Sequence, residues 1–254
     1  MRSTVERRDS IIQQIQKDGK VRVDELSERY DVSSVTIRND LDFLEKKGIC
    51  HRTHGGALIR KNVYEDPSLE EKTKRAKKEK ELIGAKAVEF IENGDSILFD
   101  SGSTTLEIAN RLEAKENLTI MTNALNIALQ LLTMERMNIM LTGGTVRKES
   151  YSMVGPEAES SINKYFFDKL FLGVDGLDID FGLTTPNPME AQLNRLMVER
   201  SQEVIAVTDS SKFGRRSFSH ICDVDSINTL ITDKKISPEF ERELLKRNVE
   251  VIKV

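Results

Sequence analysis

The segment "DVSSVTIRNDLDFLEKKG", residues 31–48, predicts one amphipathic helix near the start of the chain. Ser33 belongs to the residue types that cap helix N-termini, and the final glycine is a common helix stop. Ile37, Leu41 and Leu44 recur at helical spacing and form one apolar face. The polar side chains between them therefore point away from the core.

Outward from this helix, the flanking patterns complete a small domain. Residues 5–17 form another amphipathic helical pattern, residues 21–23 a short strand, and residues 24–30 a short helix. The tight turn "YDVSS" joins that short helix to the next one, which is typical of a helix-turn-helix. The glycine pair at 55–56 in "ICHRTHGGALI" predicts a hairpin, which would form a wing.

The outward side of the helix within residues 31–48, the second helix of the helix-turn-helix, carries side chains that can bind DNA. Arg38 can grip guanine and Asn39 can grip adenine, each with two hydrogen bonds, while hydroxyls reach bases or phosphates. The predicted DNA-binding residues are Ser33, Ser34, Thr36, Arg38, Asn39, Arg52 and His54. The same periodicity is also compatible with a small helical dimerisation or docking domain.

The whole of Glu6–Ala57 resembles the DNA-binding domain of the DeoR-type bacterial sugar-catabolism repressors. The resemblance lies in "VS..TIR.DL..LE..G" and in "R.HGGA". It implies a winged helix-turn-helix domain over residues 1–57, which binds double-stranded operator DNA. The family usually has a second arginine where this chain has Asn39, a difference that concerns the operator sequence.

A charged segment follows this domain. Residues 58–77 are rich in charged and polar side chains and contain Pro67, so they predict a linker. The basic run from Lys72 to Lys80 is interpreted as a solvated helix face. Residues 1–60 hold 12 Lys and Arg against 10 Asp and Glu, whereas the whole chain carries a net charge of −4. Residues 1–60 are thus mildly basic, and the rest of the chain is acidic.

Residues 78–254 predict an α/β domain because apolar strands alternate with helical patterns. The candidate strands are 96–100, 118–122, 138–143, 169–176, 203–209, 228–233 and 249–254. The candidate helices are 79–92, 104–113, 124–134, 156–166, 189–201 and 238–247. Nearly continuous Ile, Leu and Val strands indicate a buried, largely parallel sheet with helices on both faces.

Polar loops follow several of these strands. In "LFDSGSTTLEIA", residues 98–109, a strand ends and a Gly/Ser/Thr turn opens a helix, an arrangement that suits a phosphate. A plain capped turn would look similar. Ligands of open α/β sheets bind at the carboxyl ends of strands, so we expect one shared pocket. The predicted effector-binding residues are Asp100, Ser101, Gly102, Ser103, Thr104, Thr105, Asn123, Gly143, Gly144, Arg147, Asp175, Glu190 and Lys212.

Residues 78–254 also resemble the sensor domain of the same repressors, whose fold is similar to that of ribose-5-phosphate isomerase. In those enzymes the loop that matches residues 101–105 binds phosphate, and the aspartate that matches Asp175 serves the chemistry. The lysine- and glycine-rich catalytic loop of the isomerase is missing after "GVDGLD". The resemblance therefore implies a sensor of a phosphorylated sugar, a hexose or hexosamine phosphate, and not an enzyme.

Within the family, "VTIRNDLDFLEK" and "EAQLNRLM…VTDSSKF" are most similar to the branch that represses N-acetylgalactosamine catabolism. The glucitol branch shares much of this pattern. Two other classes stay open, namely an active isomerase or deaminase with a DNA-binding appendage, and a non-catalytic protein-interaction module.

Composition limits the remaining possibilities. With 38% apolar residues and apolar runs far shorter than the ~20 residues of a membrane span, no membrane partner is expected. The charged start lacks a secretion signal, and Cys50 and Cys222 have no metal-like or redox-like spacing. We therefore expect a cytoplasmic homo-oligomer. Neither a cofactor nor a metal is expected, although "HRTH" offers two histidines.

Overall fold

The structure of the protein, a computed structural model, describes residues 4–47, 49–53, 55–59 and 66–254. The chain divides into two compact units, Met1–Glu65 and Asp66–Val254. We call them the DNA-binding unit and the sensor unit.

The described part of the DNA-binding unit is a helical core with a small antiparallel sheet. Its helices are Thr4–Asp18 (α1), Val23–Tyr30 (α2) and Ser34–Lys46 (α3), and its strands are Lys20–Arg22 (β1), Cys50–Thr53 (β2) and Gly56–Ile59 (β3). The strand order is β1-β3-β2. Strands β2 and β3 form the hairpin expected around the glycine pair. Gly56 is required there, because a Cβ atom would lie 1.9 Å from the carbonyl oxygen of Val21 in β1.

The helix-turn-helix has the helix cap and the buried apolar face that the sequence predicted. The side chain of Ser33 accepts a hydrogen bond from the backbone N–H of Thr36, and so caps α3. Ile37, Leu41 and Leu44 are fully buried in one apolar cluster with residues of α1 and α2. The hydrophobic face of α3 thus sets which side chains remain outside.

A buried ion cluster joins α1 to α3. Asp40 is 1% exposed, and its carboxylate accepts from Nε of Arg7 at 2.6 Å and from Nε of Arg8 at 2.7 Å. The guanidinium of Arg8 also lies 3.9 Å from the centre of the Phe43 ring. A buried carboxylate of this kind depends on both partners, since an unpaired buried charge is costly.

The sensor unit contains the alternating elements that the sequence predicted, together with several short ones. Its helices are Leu69–Lys74 (α4), Lys77–Val88 (α5), Ser103–Ala109 (α6), Leu125–Leu131 (α7), Pro156–Ile162 (α8), Pro188–Glu199 (α9) and Pro238–Lys246 (α10). Its strands are Ser96–Phe99 (β4), Leu118–Thr122 (β5), Met137–Leu141 (β6), Thr145–Val146 (β7), Met153–Val154 (β8), Phe167–Gly173 (β9), Gly176–Asp178 (β10), Gly182–Thr185 (β11), Ser201–Val207 (β12), Ser219–Cys222 (β13), Thr229–Thr232 (β14) and Glu250–Lys253 (β15).

Seven strands form one parallel sheet in the order β15-β14-β12-β9-β4-β5-β6. In β4, Leu98 packs into one apolar cluster with α8, α9 and α10. Ile97 and Phe99 point to the opposite face and pack with α5, α6 and α7. The sheet is therefore covered on both faces, as the continuous apolar strands predicted.

The expected strand 169–176 is shorter at its C-terminal end than predicted. Strand β9 ends at Gly173, and a separate antiparallel sheet in the order β10-β11-β13 begins at Gly176. Asp175 lies in the gap between the two, where its backbone N–H donates to the carbonyl of Thr184. This break takes Asp175 out of the main sheet and places it at the sheet edge where strands end.

The expected linker 58–77 also differs from the structure. Residues 66–77 belong to the sensor unit, because α4 buries Leu69 and the backbone N–H of Leu69 donates to the carbonyl of Glu149. Residues 60–65 lie outside the described residues. Over the ranges that the structure describes, no helix has the length and apolar character needed to cross a bilayer.

Candidate functional site

A cavity of about 50 Å³ lies at the carboxyl ends of the neighbouring strands β4, β9 and β12. This is the position at which open α/β sheets bind ligands. Its lining consists of Leu69, Lys72, Lys80, Asp100, Ser101, Gly102, Ser103, Thr104, Ser150, Gly173, Val174, Asp175, Thr185, Glu190, Asn194, Thr208 and Lys212. Polar and charged side chains dominate this set, which favours a polar ligand.

Asp175 is the centre of the charges around the cavity. Its carboxylate pairs with Nζ of Lys72 at 2.9 Å and with Nζ of Lys212 at 3.2 Å. Burial would raise the pKa of Asp175, but the two ammonium groups outweigh burial and hold this pKa below its usual range. An ionised carboxylate held in this way is a weak base, which is poorly suited to proton abstraction.

Asp100 and Glu190 are the other two acidic residues of the lining. Burial, together with the charge of Glu190, raises the pKa of Asp100 well above its usual range, which favours the neutral acid. Glu190 accepts hydrogen bonds from Ser150 and Ser152 at 2.7 and 2.6 Å. Its negative charge is matched by Arg147, whose Nη1 lies 2.5 Å from its Oε1.

Lys80 brings a further positive charge into the cavity. It is buried in the first turns of α5, and its Nζ donates to the backbone carbonyls of Lys72 and Arg75 at the end of α4. Burial lowers the pKa of Lys80 to about 8, and the nearby Asp209 offsets part of this effect. An anion in the cavity would therefore favour the charged form of this lysine.

The predicted phosphate turn does border the cavity, except for one residue. Ser101, Gly102, Ser103 and Thr104 contribute to the lining. Thr105 is fully buried away from it, and its hydroxyl donates to the carbonyl of Gly102 at 3.1 Å. Thr105 therefore does not line the cavity as predicted, because its hydroxyl stabilises the turn.

Four other predicted effector residues lie outside the lining. Arg147 pairs with Glu190 and with Asp66 and donates to Ser150, so it acts on the cavity indirectly, through these neighbours. Asn123 is fully buried, and its amide has no hydrogen-bond partner among the described residues. Gly143 has a positive φ, and Gly144 is required for packing, since a Cβ there would lie 2.6 Å from the carbonyl of Val154.

About half of the lining residues, including two lysines, were not predicted from the sequence. The lining residues it did not predict are Leu69, Lys72, Lys80, Ser150, Gly173, Val174, Thr185, Asn194 and Thr208. The solvated-face interpretation of the run from 72 to 80 is thus wrong for Lys72 and Lys80. For Lys80 a signal existed, because it precedes Ile83 and Ala87 by three and seven residues and so shares their buried helical face.

In the DNA-binding unit, α3 presents the predicted polar residues on its outer side. Arg38 and Asn39 are exposed, whereas Ser34 and Thr36 are half-buried. The Ser33 hydroxyl lies 2.9 Å from that of Thr36, so both hydroxyls also serve the cap. The exposed pair is the part of α3 that is free to meet base edges.

The predicted wing residues have a different status. Nη1 of Arg52 pairs with Asp42 at 2.6 Å, and its backbone N–H donates to Glu45, so Arg52 attaches the wing to α3. Its contact with the DNA backbone or minor groove stays a prediction. His54 lies outside the described residues.

The arrangement matches a known family over both units. The DeoR-like helix-turn-helix domain matches residues 7–63, and the DeoR C terminal sensor domain matches residues 75–234. The chain belongs to the DeoR family. The expected fold class, a winged helix-turn-helix domain followed by a larger α/β sensor domain, is thereby confirmed for this DeoR-family protein.

Full-length relatives of this DeoR-family chain are transcriptional regulators. A protein of Escherichia coli O157:H7, provisionally named an aga operon transcriptional repressor, is 45% identical over 99% of this chain and 94% of its own length. The regulator GlpR of Haloferax volcanii is 36% identical over 97% of this chain and 96% of its own. The glycerol-3-phosphate regulon repressor of Escherichia coli strain K12 is 33% identical, covering 90% of each. The expectation of a transcriptional repressor, and not an enzyme, is confirmed.

Solved structures with a similar sensor fold are more distant. Ribose 5-phosphate isomerase A of Neisseria gonorrhoeae has 15% identity and a TM-score of 0.40 over 54% of this chain and 53% of its own. The eIF2B delta of Chaetomium thermophilum has 16% identity and a TM-score of 0.45 over 62% of this chain and 56% of its own.

Proposed function

We propose that this protein represses a sugar or amino-sugar catabolic operon in the cytoplasm, and that a phosphorylated sugar bound in the cavity releases it from its operator. The observation that carries this proposal is the cavity itself, where ammonium groups and hydroxyls converge at the strand ends of a domain joined to a DNA reader. A hexosamine or hexose phosphate is the effector class that we infer. The aga-operon name of the 45% identical relative supports the amino-sugar form.

The charge balance of the cavity supports an anionic effector. The lining holds three lysines, Lys72, Lys80 and Lys212, against the ionised Asp175. The charge of Glu190 is matched from outside by an arginine. The raised pKa of Asp100 favours its neutral form. Among the lining residues themselves positive charge is therefore in excess, and the hydroxyls and carboxyl groups beside it can hydrogen-bond a polyol.

Thermal denaturation with a panel of ligands tests this assignment. Phosphorylated hexoses and hexosamines, the same sugars without phosphate, and inorganic phosphate are compared at equal concentration. An effector at 100 times its dissociation constant should stabilise the sensor unit by about 2.7 kcal/mol. We expect stabilisation by one sugar phosphate and release of operator DNA by the same compound. Equal responses to phosphorylated and unphosphorylated sugars would contradict the proposal.

Thr104→Val tests the role of the phosphate turn. The substitution keeps the size of the side chain and deletes a hydroxyl that borders the cavity. A lost hydrogen bond to a charged group costs about 1.5–3 kcal/mol, so effector affinity should fall roughly 10- to 100-fold. Operator affinity without effector should not change. Isothermal titration and operator binding measure the two quantities.

The neighbouring Thr105→Val is the matched control. Its hydroxyl bonds the Gly102 carbonyl away from the cavity, so the same chemical change should lower effector affinity much less. An equal loss in both variants would mean that the turn acts as a whole and that no single hydroxyl meets the phosphate.

On the DNA side, we infer that a homo-oligomer binds repeated half-sites, since helix-turn-helix proteins commonly bind as symmetric dimers. Arg38→Ala should weaken binding to an operator selected from random duplexes by about 1–3 kcal/mol and relax base preference at one position. Lys46→Ala, in the last turn of the same helix, is the comparison. If Arg38→Ala bound selected and random duplexes as the wild type does, α3 would not be the recognition helix.

A further inference from the structure

Helix α4 lies over the cavity and supplies two of its lining side chains, Leu69 and Lys72. The helix buries one side chain, that of Leu69, which is 6% exposed. The backbone N–H of Leu69 donates to the carbonyl of Glu149 at 2.7 Å. The apolar attachment of α4 to the sensor unit is therefore small compared with that of α5 and α9.

The remaining attachments of α4 use the positive charges of the cavity. Nζ of Lys72 pairs with Asp175 at 2.9 Å and with Asp66 at 3.5 Å. Nζ of Lys80 donates to the carbonyls of Lys72 and of Arg75, which end the helix. Lys80 thus holds α4 with the same ammonium group that an anion in the cavity would attract.

The cavity is too small for its proposed occupant. It measures about 50 Å³, whereas sites for small organic ligands usually measure about 300–1,000 Å³. A hexose phosphate therefore exceeds this volume, and movement of part of the lining would make room for it. Most of the lining comes from the ends of the central strands and from α9, which are packed into the main core. Helix α4 buries Leu69 alone, so its displacement exposes little apolar surface.

We propose that α4 is a displaceable plug that competes with the effector for the cavity. The inference rests on the proposed function. The anion binds beside Lys80 and Lys212, Lys80 leaves the carbonyls of α4, and α4 departs with Lys72. Asp175 is then available to the hydroxyls of the sugar. By linkage, a docked α4 weakens effector binding as much as the effector weakens docking.

The position of α4 in the chain gives its displacement a consequence for DNA. It is the first helix of the sensor unit, and it begins four residues after Glu65, where the DNA-binding unit ends. A docked α4 fixes the point from which the DNA-binding unit is tethered. When α4 is released and unwinds, the tether between the units lengthens. An extended residue spans about 3.3–3.6 Å, whereas a helical residue spans about 1.5 Å. Paired half-sites require a defined spacing, so a longer tether weakens operator binding.

Hydrogen exchange of the full chain tests the displacement directly. The probes are galactosamine 6-phosphate, N-acetylgalactosamine 6-phosphate and fructose 6-phosphate, each added at saturation. We expect the sugar phosphate that binds to slow exchange in residues 100–104 and to speed exchange in residues 69–76 at least tenfold. Slower exchange in both segments would overturn the inference, because α4 would then close on the ligand.

Leu69→Ala tests the same inference without any ligand. Loss of the buried side chain should release α4, speed its exchange, and weaken operator binding at least tenfold. Effector affinity should rise by a similar factor. The matched control is Leu82→Ala, since Leu82 is 54% exposed on the neighbouring α5 and should leave all three quantities unchanged.

The outcomes separate this inference from the proposed function. If none of the sugar phosphates binds, the proposed function fails, and the ligand-free operator affinity of Leu69→Ala still decides the role of α4. In Leu69→Ala, fast exchange in α4 together with wild-type operator affinity would overturn the proposal that α4 competes with the effector. Leu69→Met, which keeps the volume of the side chain, should show the same changes in smaller measure, and so guards against a folding defect in the alanine variant.

Discussion

Asp40→Ala should destabilise the DNA-binding unit by about 3–5 kcal/mol. The buried carboxylate of Asp40 accepts from both Arg7 and Arg8, so its removal leaves two guanidinium groups without their partner, one of them also buried. A loss of this size is a large fraction of the ~5–15 kcal/mol that stabilises an ordinary domain. We expect rapid hydrogen exchange in α1 and α3 of the full chain and strongly reduced operator binding.

A neighbouring aspartate provides the control. Asp42 is 45% exposed and pairs with Arg52, so Asp42→Ala removes an accessible ion pair from the same helix. Such pairs contribute about 0–1 kcal/mol. If the two variants exchanged at the same rate in α1 and α3, the buried cluster would not be what joins these helices.

Asp175→Ala should have a comparable effect on the sensor unit. It removes the carboxylate from between Lys72 and Lys212, and both ammonium groups are mostly buried. Breaking a buried pair on one side costs about 3–5 kcal/mol. Chemical denaturation followed by hydrogen exchange in β9 and β12 would measure the loss. Asp225→Ala, which removes a carboxylate that is 63% exposed and pairs with Arg247, should cost less than about 1 kcal/mol.

The same carboxylate predicts a pH dependence. The pKa of Asp175 is depressed in the folded protein, so its contribution to stability is complete above its unfolded pKa of about 3.9 and declines as the pH falls below that value. The stability difference between wild type and Asp175→Ala should therefore be constant near neutral pH and shrink in acid. A difference that grew in acid would show that the two lysines do not hold this carboxylate ionised.

The two aspartates lie in different units, yet each is an acidic group held by two basic side chains. Asp40 joins two helices of the DNA-binding unit. Asp175 faces a cavity and shares one of its lysines with α4, the helix that follows the connection between the units. The first cluster therefore serves stability, and the second can also respond to a ligand.

The amino-acid sequence by itself determined the order and type of the main elements. In α3, a capping serine and apolar residues at helical spacing specify a helix whose outer side can be named in advance. The continuous apolar strands likewise predicted a parallel sheet covered on both faces. These features depend on interactions between residues close in the chain, or on a period of two or 3.6 that runs through one element.

Only the tertiary structure decided which side chains share the cavity. The separation of Lys72 from Asp175 is 103 residues, and that of Asp100 from Asn194 is 94. No local pattern encodes such a meeting, because it depends on the order in which the strands pair. The hydroxyl of Thr105 shows the same limit at short range, since one turn of helix directs it to a backbone carbonyl while Thr104 borders the cavity. Lys80 shows that charge alone does not predict exposure. This lysine belongs to a basic run, yet it is buried because its ammonium group meets backbone carbonyls and carboxylates from other parts of the fold.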